Sequence, residues 1–437
     1  MSSHRPPGPE PSTLGFLRFA AAMMKDATAA VRTRFDAHGD LYFTVSRGDP
    51  LFVTCHPDHM HEVLVTRGGD WKKRSADLRR FLGMGLLTSN GDLWRTRRRL
   101  VQPGFRHERL ESYAEVMVAA ADRTAEEWRQ TPDRDLGRDM MACTLDVVGR
   151  TLFGYDATGD VVPIAEAMDV LQKTSGFDPI PEWVPTPAHR RAAGALERLN
   201  RVIQDLIEKR RQRPEGGDLL GHLLSVDLDD TALRDELVTL FLAGHETTAL
   251  TLSWTWRILA DAPEWEGRLH AEVDAVLGGR APSLGDVERL PVTGRIVQES
   301  MRLRPPVYAI PRIAVRDTEL GGFAVERGAE LVMWPYWAHH DARWFPEPER
   351  FDPDRWLPDS GRVLHPRAFI PFGAGQRTCI GKSFATMEAS LLLARWAQSF
   401  RLEALEAEWP PVSPQITLAM KRPLKMRAVP RASGHDT

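Results

Sequence analysis

A single cysteine, Cys379, lies in a glycine-rich loop that also carries an arginine, within the run FGAGQRTCIG from Phe372 to Gly381. The glycines allow backbone angles and close approaches that a Cβ would block. A strongly helical segment follows the loop, and a helix N-terminus together with loop N–H groups favours a thiolate over a thiol. A thiolate held against a flat cofactor is the axial ligand that promotes O–O cleavage on haem iron. Arg377 supplies a permanent cation for a haem propionate.

The alternative interpretation of Cys379 is a buried, inert cysteine in a turn, which is common for a cysteine that stands alone. That interpretation does not explain ten ordered positions that combine a Phe, three Gly, an Arg and a Cys. The sequence therefore favours a thiolate-bound haem.

A second motif, AGHETT at Ala243–Thr248, lies inside the longest helical pattern of the chain. Gly and Thr lower helix propensity, and a Thr hydroxyl can bond back to the i−4 carbonyl and bend the helix. Dioxygen activation needs such an opened helix, a hydroxyl and a proton-relaying acid, which Glu246 and Thr247 would provide. Taken alone, the motif would be better interpreted as a polar turn of a buried helix. A zinc-protease H-E-x-x-H is excluded because Ala249 occupies the second His position.

Together the two motifs resemble the cytochrome P450 superfamily, whose haem signature F-x-x-G-x-R-x-C-x-G is matched at every fixed position. The resemblance implies a mainly α fold with a minor β part, in a single haem-binding domain. It places haem b between the long oxygen-activation helix and the helix after the cysteine loop. It also implies Cys379 as the iron ligand and Glu246 with Thr247 as the catalytic acid–alcohol pair. The cofactor-binding residues that it implies are Cys379, Trp94, Arg98, Arg312, Arg377, Phe372, Gly373, Gly381 and Ala243.

Two further patterns match the family in order along the chain. Trp94 and Arg98, at i and i+4, match its W-x-x-x-R element and could both reach one propionate. Arg312 stands where the family often has another propionate arginine, with an exposed strand residue as the alternative. Glu299, Arg302 and Arg350 resemble the Glu–Arg–Arg network that fixes the segment before the haem loop. We expect these three residues to be structural, because a buried charge without its partner costs several kcal/mol.

The resemblance also implies a substrate pocket of mostly apolar residues, with Tyr308 as the main polar exception. An apolar pocket suits a lipophilic substrate such as a terpenoid, a fatty acid or a polyketide-derived skeleton. The pocket residues that it implies are Leu86, Phe241, Val307, Tyr308, Ile310 and Thr417.

The expected reaction is hydroxylation or epoxidation by one atom of dioxygen, with the other atom leaving as water. No flavin, iron–sulfur or dinucleotide motif is present, so the electrons should come from an external ferredoxin and its reductase. The basic segment 95–99, with Lys382, could dock an acidic ferredoxin. The alternative is a haem-thiolate enzyme with non-oxygenating or peroxide-driven chemistry, such as a peroxygenase, a cyclase or an isomerase.

Composition sets the remaining expectations. The chain has 437 residues, 42% of them hydrophobic, and a formal net charge of −3, which gives no argument for binding nucleic acid or a membrane. Three cysteines do not form a disulfide framework and fit a reducing compartment. With no membrane span or signal peptide in the sequence, we expect a cytoplasmic monomer without a membrane anchor. We expect one domain over 14–431, with disordered tails at 1–13 and 432–437.

Helical periodicity dominates the chain and must position these motifs. We expect helices over 14–38, 58–66, 110–129, 139–153, 188–213, 232–260, 296–303 and 382–400. We expect a hairpin at 41–55, short strands at 309–315, 323–325 and 330–333, and a Pro-rich lid loop around Trp183. The Cys/His-rich stretch from Cys55 to His61 and the pair His339–His340 are interpreted as polar surface rather than zinc ligands.

Overall fold

The computed structural model describes residues 5–10, 12–46, 48–155, 186–212, 217–226 and 228–431, with residues 164, 167, 170 and 171 between them. The predicted lid loop around Trp183 lies outside the described residues. The chain forms two compact units. Unit 1 comprises Met1–Arg74, Met301–Cys379 and Val412–Ala419, and unit 2 comprises Ser75–Ser300, Ile380–Pro411 and Met420–Thr437.

The α-helices are α1 (Thr13–Lys25), α2 (Ala27–His38), α3 (Pro57–His61), α4 (Ala76–Leu82), α5 (Gly91–Val101), α6 (His107–Gln130), α7 (Leu136–Phe153), α8 (Pro187–Gln212), α9 (Leu219–Leu224), α10 (Asp230–Ala260), α11 (Pro263–Leu277), α12 (Pro291–Leu303), α13 (Pro335–His339) and α14 (Lys382–Ala397). The strands are β1 (Leu41–Ser46), β2 (Asp49–Thr54), β3 (Trp71–Lys73), β4 (Asp133–Asp135), β5 (Ile310–Ala314), β6 (Thr318–Leu320), β7 (Phe323–Val325), β8 (Glu330–Met333), β9 (Phe400–Ala404), β10 (Val412–Pro414), β11 (Leu418–Met420) and β12 (Lys425–Pro430). The prediction of a mainly α chain with a minor β part is confirmed.

Unit 1 is built on a five-stranded sheet in the order β1-β2-β8-β5-β3. The predicted hairpin β1–β2 is antiparallel, β2 pairs with β8 in parallel, and β5 pairs antiparallel with both β8 and β3. One face of the sheet buries Phe52, Leu331 and Met333 against Met60 and Val63 from the helical segment after β2. These apolar side chains hold the segment that the cysteine loop packs on.

Unit 2 is largely helical, and α10 is its longest element, with 31 residues. Asp229 caps its N-terminus by accepting a hydrogen bond from the Ala232 N–H at 2.7 Å. Apolar residues occur all around α10, as expected for a helix in the middle of a core. Helices α6 and α14 pack through Trp128 and Trp396, whose ring centroids are 5.3 Å apart. A three-stranded sheet, β4-β12-β9, completes this unit.

The expected single helix over 14–38 is instead two helices that break at Asp26. The Asp26 carboxylate accepts hydrogen bonds from the Ala29 N–H at 3.0 Å and the Thr28 hydroxyl at 2.6 Å, while its own backbone is extended. An Asx cap inside a helical pattern starts a new helix. The predicted end at Gly39 is correct, because this glycine has φ +86° directly after α2.

The helix expected over 58–66 contains a change of helix type. It begins as α3 and continues as a π-helix at Glu62–Thr66.

Residues inside the predicted N-terminal tail also make contacts. Arg5 pairs with Glu326 at 2.8 Å, and Pro7 accepts a hydrogen bond from the Phe43 N–H. The tail at 432–437 lies outside the described residues. In the part of the chain that the structure describes, no helix has the length and apolar character to cross a bilayer.

Candidate active site

The cysteine loop in unit 1 owes its shape to two glycines. Gly373 and Gly375 have φ +69° and +68°, which favours glycine at both positions. A Cβ on Gly375 would also lie 1.9 Å from the Leu64 carbonyl oxygen, so the loop packs directly on the backbone of the π-helical segment. The Cys379 N–H donates to the Phe372 carbonyl at 3.0 Å and closes the loop. In this closed loop Cys379 is exposed.

Gly381, the last glycine of the signature, has a different role from the other two. It is the N-cap of α14, with φ −88°, and a Cβ there would meet Phe105 at an ordinary contact distance of 3.5 Å. Neither backbone strain nor crowding among the described residues requires a glycine at this position.

The middle of α10 in unit 2 has an open stripe, defined here as Ala243 and Thr247. Ala243 is exposed and Thr247 is partly exposed, whereas most residues around them are buried. Thr247 Oγ1 donates to the Ala243 carbonyl at 3.1 Å, which is the predicted i−4 bond. Glu246, which is 1% exposed, lies next to the stripe within the core. An acid and a hydroxyl therefore occupy adjacent positions at the one opening in this part of the helix.

Gly244 is explained by packing rather than by a broken helix, since α10 is continuous through the motif. A Cβ on Gly244 would lie 2.9 Å from Val148 of α7. The Thr144 hydroxyl of α7 donates to the His245 carbonyl at 2.9 Å. Helix α7 therefore packs against α10 at Gly244, next to the open stripe.

Phe241 does not belong to the open stripe. It is fully buried and its ring lies 4.5 Å from that of Phe153 on α7, centroid to centroid. Its packing in the interface between the two helices accounts for its burial and leaves it no open face.

The predicted propionate-binding residues divide between the units. In unit 2, Trp94 is buried and the Arg98 guanidinium lies 5.9 Å from its ring centroid. In unit 1, Arg377 ends the short 3₁₀ turn of the cysteine loop. Arg312 is buried in β5 and donates to the adjacent Pro311 carbonyl at 2.8 Å. The expected exposed alternative for Arg312 is therefore wrong.

Arg312 gives the clearest indication of an anionic ligand. Burial lowers its pKa to about 10, and no carboxylate of the described residues pairs with it. A buried cation without an anion is costly, so its environment suits a bound anionic group. In unit 1, an exposed cysteine and a buried arginine without a carboxylate partner among the described residues fit a haem. In unit 2, the open helical stripe fits one as well.

The pocket residues of unit 1 come together at β11. The Leu418 N–H donates to the Pro306 carbonyl at 2.8 Å, and the Tyr308 hydroxyl donates to the Gln415 carbonyl at 2.8 Å. Ile310 and Thr417 are buried beside these contacts, while Val307 is 36% exposed. Because the Tyr308 hydroxyl is engaged, this group presents a mainly apolar surface. Leu86 belongs to unit 2 and is buried.

The three residues predicted to form the Glu–Arg–Arg network differ in burial. Glu299 and Arg302 are fully buried, and Arg302 donates to the His339 carbonyl at 2.7 Å. The Arg350 side chain is 63% exposed and pairs with Glu347, so only its backbone carbonyl contacts Arg302. Arg355 is the buried arginine, and it donates to the Pro346 carbonyl at 2.9 Å.

The interpretation of His339 and His340 as surface residues is wrong. Both are buried, and burial lowers the pKa of each imidazole, so both are neutral. The His339 ring accepts a hydrogen bond from the Ile370 N–H at 3.3 Å, at the start of the cysteine loop. In the stretch from Cys55 to His61, Cys55 is buried rather than exposed. The described residues contain no group of three metal-binding side chains.

Two fully buried acids of the described residues also escaped the sequence analysis. Glu388 of α14 is fully buried, and Glu236 of α10 is fully buried beside Arg97. An acid within an apolar run, as in MEASLLL around Glu388, is the signal that could have identified the first.

Comparison with known proteins identifies the family. The family model for "Cytochrome P450" matches residues 6–427. Cyclooctatin synthase of Streptomyces melanosporofaciens is 37% identical over 415 residues, which are 90% of each protein. Cyclooctat-9-en-7-ol 5-monooxygenase of the same organism is 35% identical, over 84% of this chain and 83% of the relative. Pentalenene oxygenase of Streptomyces avermitilis is 34% identical, over 91% of this chain and 92% of the relative.

The fold is similar to that of solved haem domains. The haem domain of cytochrome P450DA superimposes with a TM-score of 0.87 at 27% identity and covers 98% of both chains. The similarity extends over the whole chain, so both units belong to the shared fold.

Proposed function

The chain belongs to the cytochrome P450 family, and from that premise we propose that it inserts one atom of dioxygen into a carbocyclic terpenoid. Monooxygenation is the activity of the family, and haem b with a cysteine ligand is its cofactor. The substrate class rests on the three relatives, which are named for cyclic skeletons and are 34–37% identical to this chain. Two of these relatives are named as oxygenases, which favours dioxygen chemistry over the peroxide-driven and non-oxygenating alternatives.

The overall reaction consumes the substrate, dioxygen, two electrons and two protons, and it gives the oxygenated product and water. When bound, the haem supplies the redox centre for this reaction. Cys379, which is exposed in the glycine-shaped loop, would provide the thiolate ligand of the haem. Arg312, Arg377, Trp94 and Arg98 are the side chains that would hold the propionates, and Arg312 gains its missing anion by doing so.

Glu246 and Thr247 would deliver the two protons. Thr247 Oγ1 lies at the open stripe and donates its proton to the Ala243 carbonyl. Its lone pairs can therefore accept a hydrogen bond from a second group that donates a proton. Glu246 lies one residue earlier and is buried, so it can relay protons to this hydroxyl away from bulk water. Positioned proton transfer typically contributes about 10²–10⁴-fold to the rate.

The proposed pocket is consistent with a hydrocarbon-rich substrate. In unit 1, Val307 and Ile310 are apolar, and the Tyr308 hydroxyl donates to a backbone carbonyl. When the hydrogen-bonding groups of a pocket are already satisfied, an apolar ring system can enter without leaving any of them unpaired. Phe241 is left out of this pocket because it packs against α7.

An external ferredoxin with its reductase is the proposed source of electrons. Arg95 and Arg99 of α5 and Lys382 at the start of α14 are exposed cations in unit 2. Arg97, in the same basic run, is buried against Glu236 and does not contribute to this surface. An acidic partner would be steered to the exposed cations by long-range attraction.

The test begins with the absorption difference spectrum of the reduced protein with and without carbon monoxide. A strongly red-shifted Soret band is expected for thiolate-bound haem, and Cys379→Ser should lose it. Cyclic terpene hydrocarbons and alcohols, fatty acids and polyketide lactones are then screened for spin-state shifts and, with a ferredoxin system, for oxygenated products. Products from the terpenes are expected, and products from fatty acids alone would contradict the substrate class.

Thr247→Ala tests the proton relay. The variant should bind haem normally but release more hydrogen peroxide per electron pair consumed, because the hydroxyl that passes protons is missing. Equal coupling of electrons to product in parent and variant would contradict this role for Thr247.

A further inference from the structure

Two adjacent acids in the second turn of α10 hold the backbone of the loop that follows α4. This segment, the 83–88 loop, runs from Gly83 to Thr88. The Asp235 carboxylate accepts a hydrogen bond from the Met84 N–H at 2.6 Å, and the Glu236 carboxylate accepts one from the Leu86 N–H at 3.0 Å. Both acids are buried. Charge-assisted bonds of this kind are stronger than bonds between neutral groups.

The loop has no room to move closer to the helix. Gly83 has φ +62°, and a Cβ there would lie 2.1 Å from the Asp235 carboxylate. A Cβ on Gly85 would lie 2.4 Å from Thr239 Oγ1 and 2.6 Å from the Asp235 carbonyl oxygen. Glycines at both positions therefore let the loop backbone lie directly on α10.

Further hydrogen bonds hold each end of the loop. Arg234 donates to Asp235 at 2.9 Å and to the Phe81 carbonyl at 2.8 Å, which ties the end of α4 to the same acid. The Thr88 hydroxyl donates to the Gly83 carbonyl at 2.7 Å and closes the loop on itself. The Arg97 guanidinium lies 3.4 Å from the second oxygen of Glu236 and favours the charged form of this carboxyl. Two backbone N–H groups, two acids and two arginines thus form one buried network.

The contact lies next to the open stripe along α10. Asp235, Thr239 and Ala243 are spaced four residues apart, and residues at this spacing lie on adjacent turns of one helix face. Gly85 packs on Thr239, which is one turn, or about 6 Å, before Ala243. A substrate placed against Ala243 and Thr247 therefore meets the 83–88 loop as its neighbouring wall.

We propose that Asp235 and Glu236 are positioning residues that determine substrate specificity by fixing the 83–88 loop on α10. The inference rests on the proposed function, because it takes the open stripe as the site of oxygenation. The acids touch no reacting atom. They order the loop before the ligand arrives, so a ligand that reaches the loop does not have to order it on binding.

The test uses two azoles that coordinate haem iron and differ in size. Imidazole occupies only the space next to the iron, whereas clotrimazole extends over the surrounding pocket walls. In Asp235→Ala and Glu236→Ala, the Kd for clotrimazole, measured from the Soret shift, should rise by about tenfold or more, since an unsatisfied bond of this kind typically costs that much. The Kd for imidazole should change by less than about twofold. Hydrogen exchange of the Met84 and Leu86 amides should accelerate in the same variants.

Matched variants separate positioning from general damage. Asp235→Asn and Glu236→Gln keep an acceptor oxygen without its charge, so their clotrimazole affinity and amide exchange should fall between parent and alanine variant. Asp230→Ala removes an exposed acid from the first turn of the same helix and should behave like the parent. Where an alanine variant does not accumulate as folded protein, the Asn and Gln variants supply the comparison with a smaller effect.

Two results would overturn the proposal. One is unchanged amide exchange at Met84 and Leu86 in the alanine variants. The other is an equal loss of affinity for both azoles together with loss of the red-shifted carbon monoxide band, which would indicate damage to the haem site as a whole. Failure of the parent protein to bind either azole would count against the proposed function, whatever the exchange rates of the loop amides.

Discussion

Arg350 and Arg355 show how burial decides the role of a residue type. Both follow the pattern of an arginine in the Pro-rich segment before the cysteine loop, and the sequence motif points to Arg350. The structure buries Arg355 instead, which is 1% exposed and donates to main-chain carbonyls at Pro346 and Glu347. Pattern matching identifies the motif, but the burial of a side chain depends on contacts that a pattern does not contain.

Arg355→Ala should therefore destabilise the protein far more than Arg350→Ala. Removing the buried guanidinium leaves several carbonyls without a donor, and we expect a loss of about 3 kcal/mol. Removing the exposed one should cost less than about 0.5 kcal/mol. Denaturant unfolding of the two haem-loaded variants measures both values. The assignment would fail if the two variants lost equal stability.

Glu388 should make stability fall as the pH rises. Burial raises its pKa to about 8 from the ordinary 4.5, and the nearby Thr248 hydroxyl opposes this by a smaller amount. Between these two pH values the folded state holds a proton at Glu388 that the unfolded chain releases. The stability that this carboxyl contributes is therefore complete below pH 4.5 and is lost progressively up to about pH 8. Neither carboxyl oxygen has a hydrogen-bond partner of ordinary geometry among the described residues.

Glu388→Gln should remove this dependence, because an amide does not ionise. Unfolding midpoints of parent and variant, followed from pH 5 to pH 9, should diverge in favour of the variant as the pH rises. Glu264→Gln, at an exposed position of α11, is the matched control and should follow the parent. Parallel curves for parent and Glu388→Gln would show that the folded and unfolded states bind equal numbers of protons at this carboxyl, so that folding does not raise its pKa.

At the scale of elements, long helices were predictable and their interruptions were not. The periodic segments at α6, α7, α8 and α10 were expected within three residues of their observed ends. Asp26 interrupts a continuous helical pattern, and the π-helix at Glu62–Thr66 looks like ordinary helix in the sequence. A cap or a change of helix type depends on one side chain or one hydrogen bond, which periodicity over many residues does not detect.

The cysteine loop allows a direct test of its two glycines. Gly375→Ala would place a Cβ against the Leu64 carbonyl, so the loop backbone would have to move away from the π-helical segment. Gly373→Ala meets no atom within 4 Å and should cost only the positive φ, or about 1 kcal/mol. The red-shifted carbon monoxide band should therefore be lost or much reduced in the first variant and retained in the second. Equal bands in the two variants would contradict the packing described for the loop.

At the scale of the whole molecule, the fold class and the family predicted from the sequence are confirmed, while the chemistry of Cys379, Glu246 and Thr247 stays a prediction. It did not predict which charged residues are buried. Arg97 lies in the run Arg97-Arg98-Arg99, typical of a basic surface, yet it faces Glu236 from a sequence distance of more than a hundred residues. His339 and His340 were misplaced for the same reason, since their burial results from tertiary packing alone.

The proposed docking surface predicts a strong dependence on salt. Screening shortens the reach of exposed charges to about 10 Å at 0.1 M ionic strength, so the KM for an acidic ferredoxin should rise several-fold as salt is added. Arg99→Glu should raise this KM at low salt and weaken its salt dependence. Arg201→Glu makes the same change in net charge on α8, at a side chain that is 65% exposed, and serves as the control. A KM that does not respond to salt would count against the surface.

Helix α5 carries two different contacts on its opposite sides. Arg95 and Arg99 are exposed, while Arg97 between them reaches inward to the acid that holds Leu86. If a bound redox partner shifts this helix, binding of the partner and binding of the substrate become thermodynamically linked. Such linkage is reciprocal, so the factor by which the partner changes ligand affinity must equal the factor by which the ligand changes partner affinity. One rigid helix of 11 residues would then let the enzyme accept electrons preferentially when its substrate is in place.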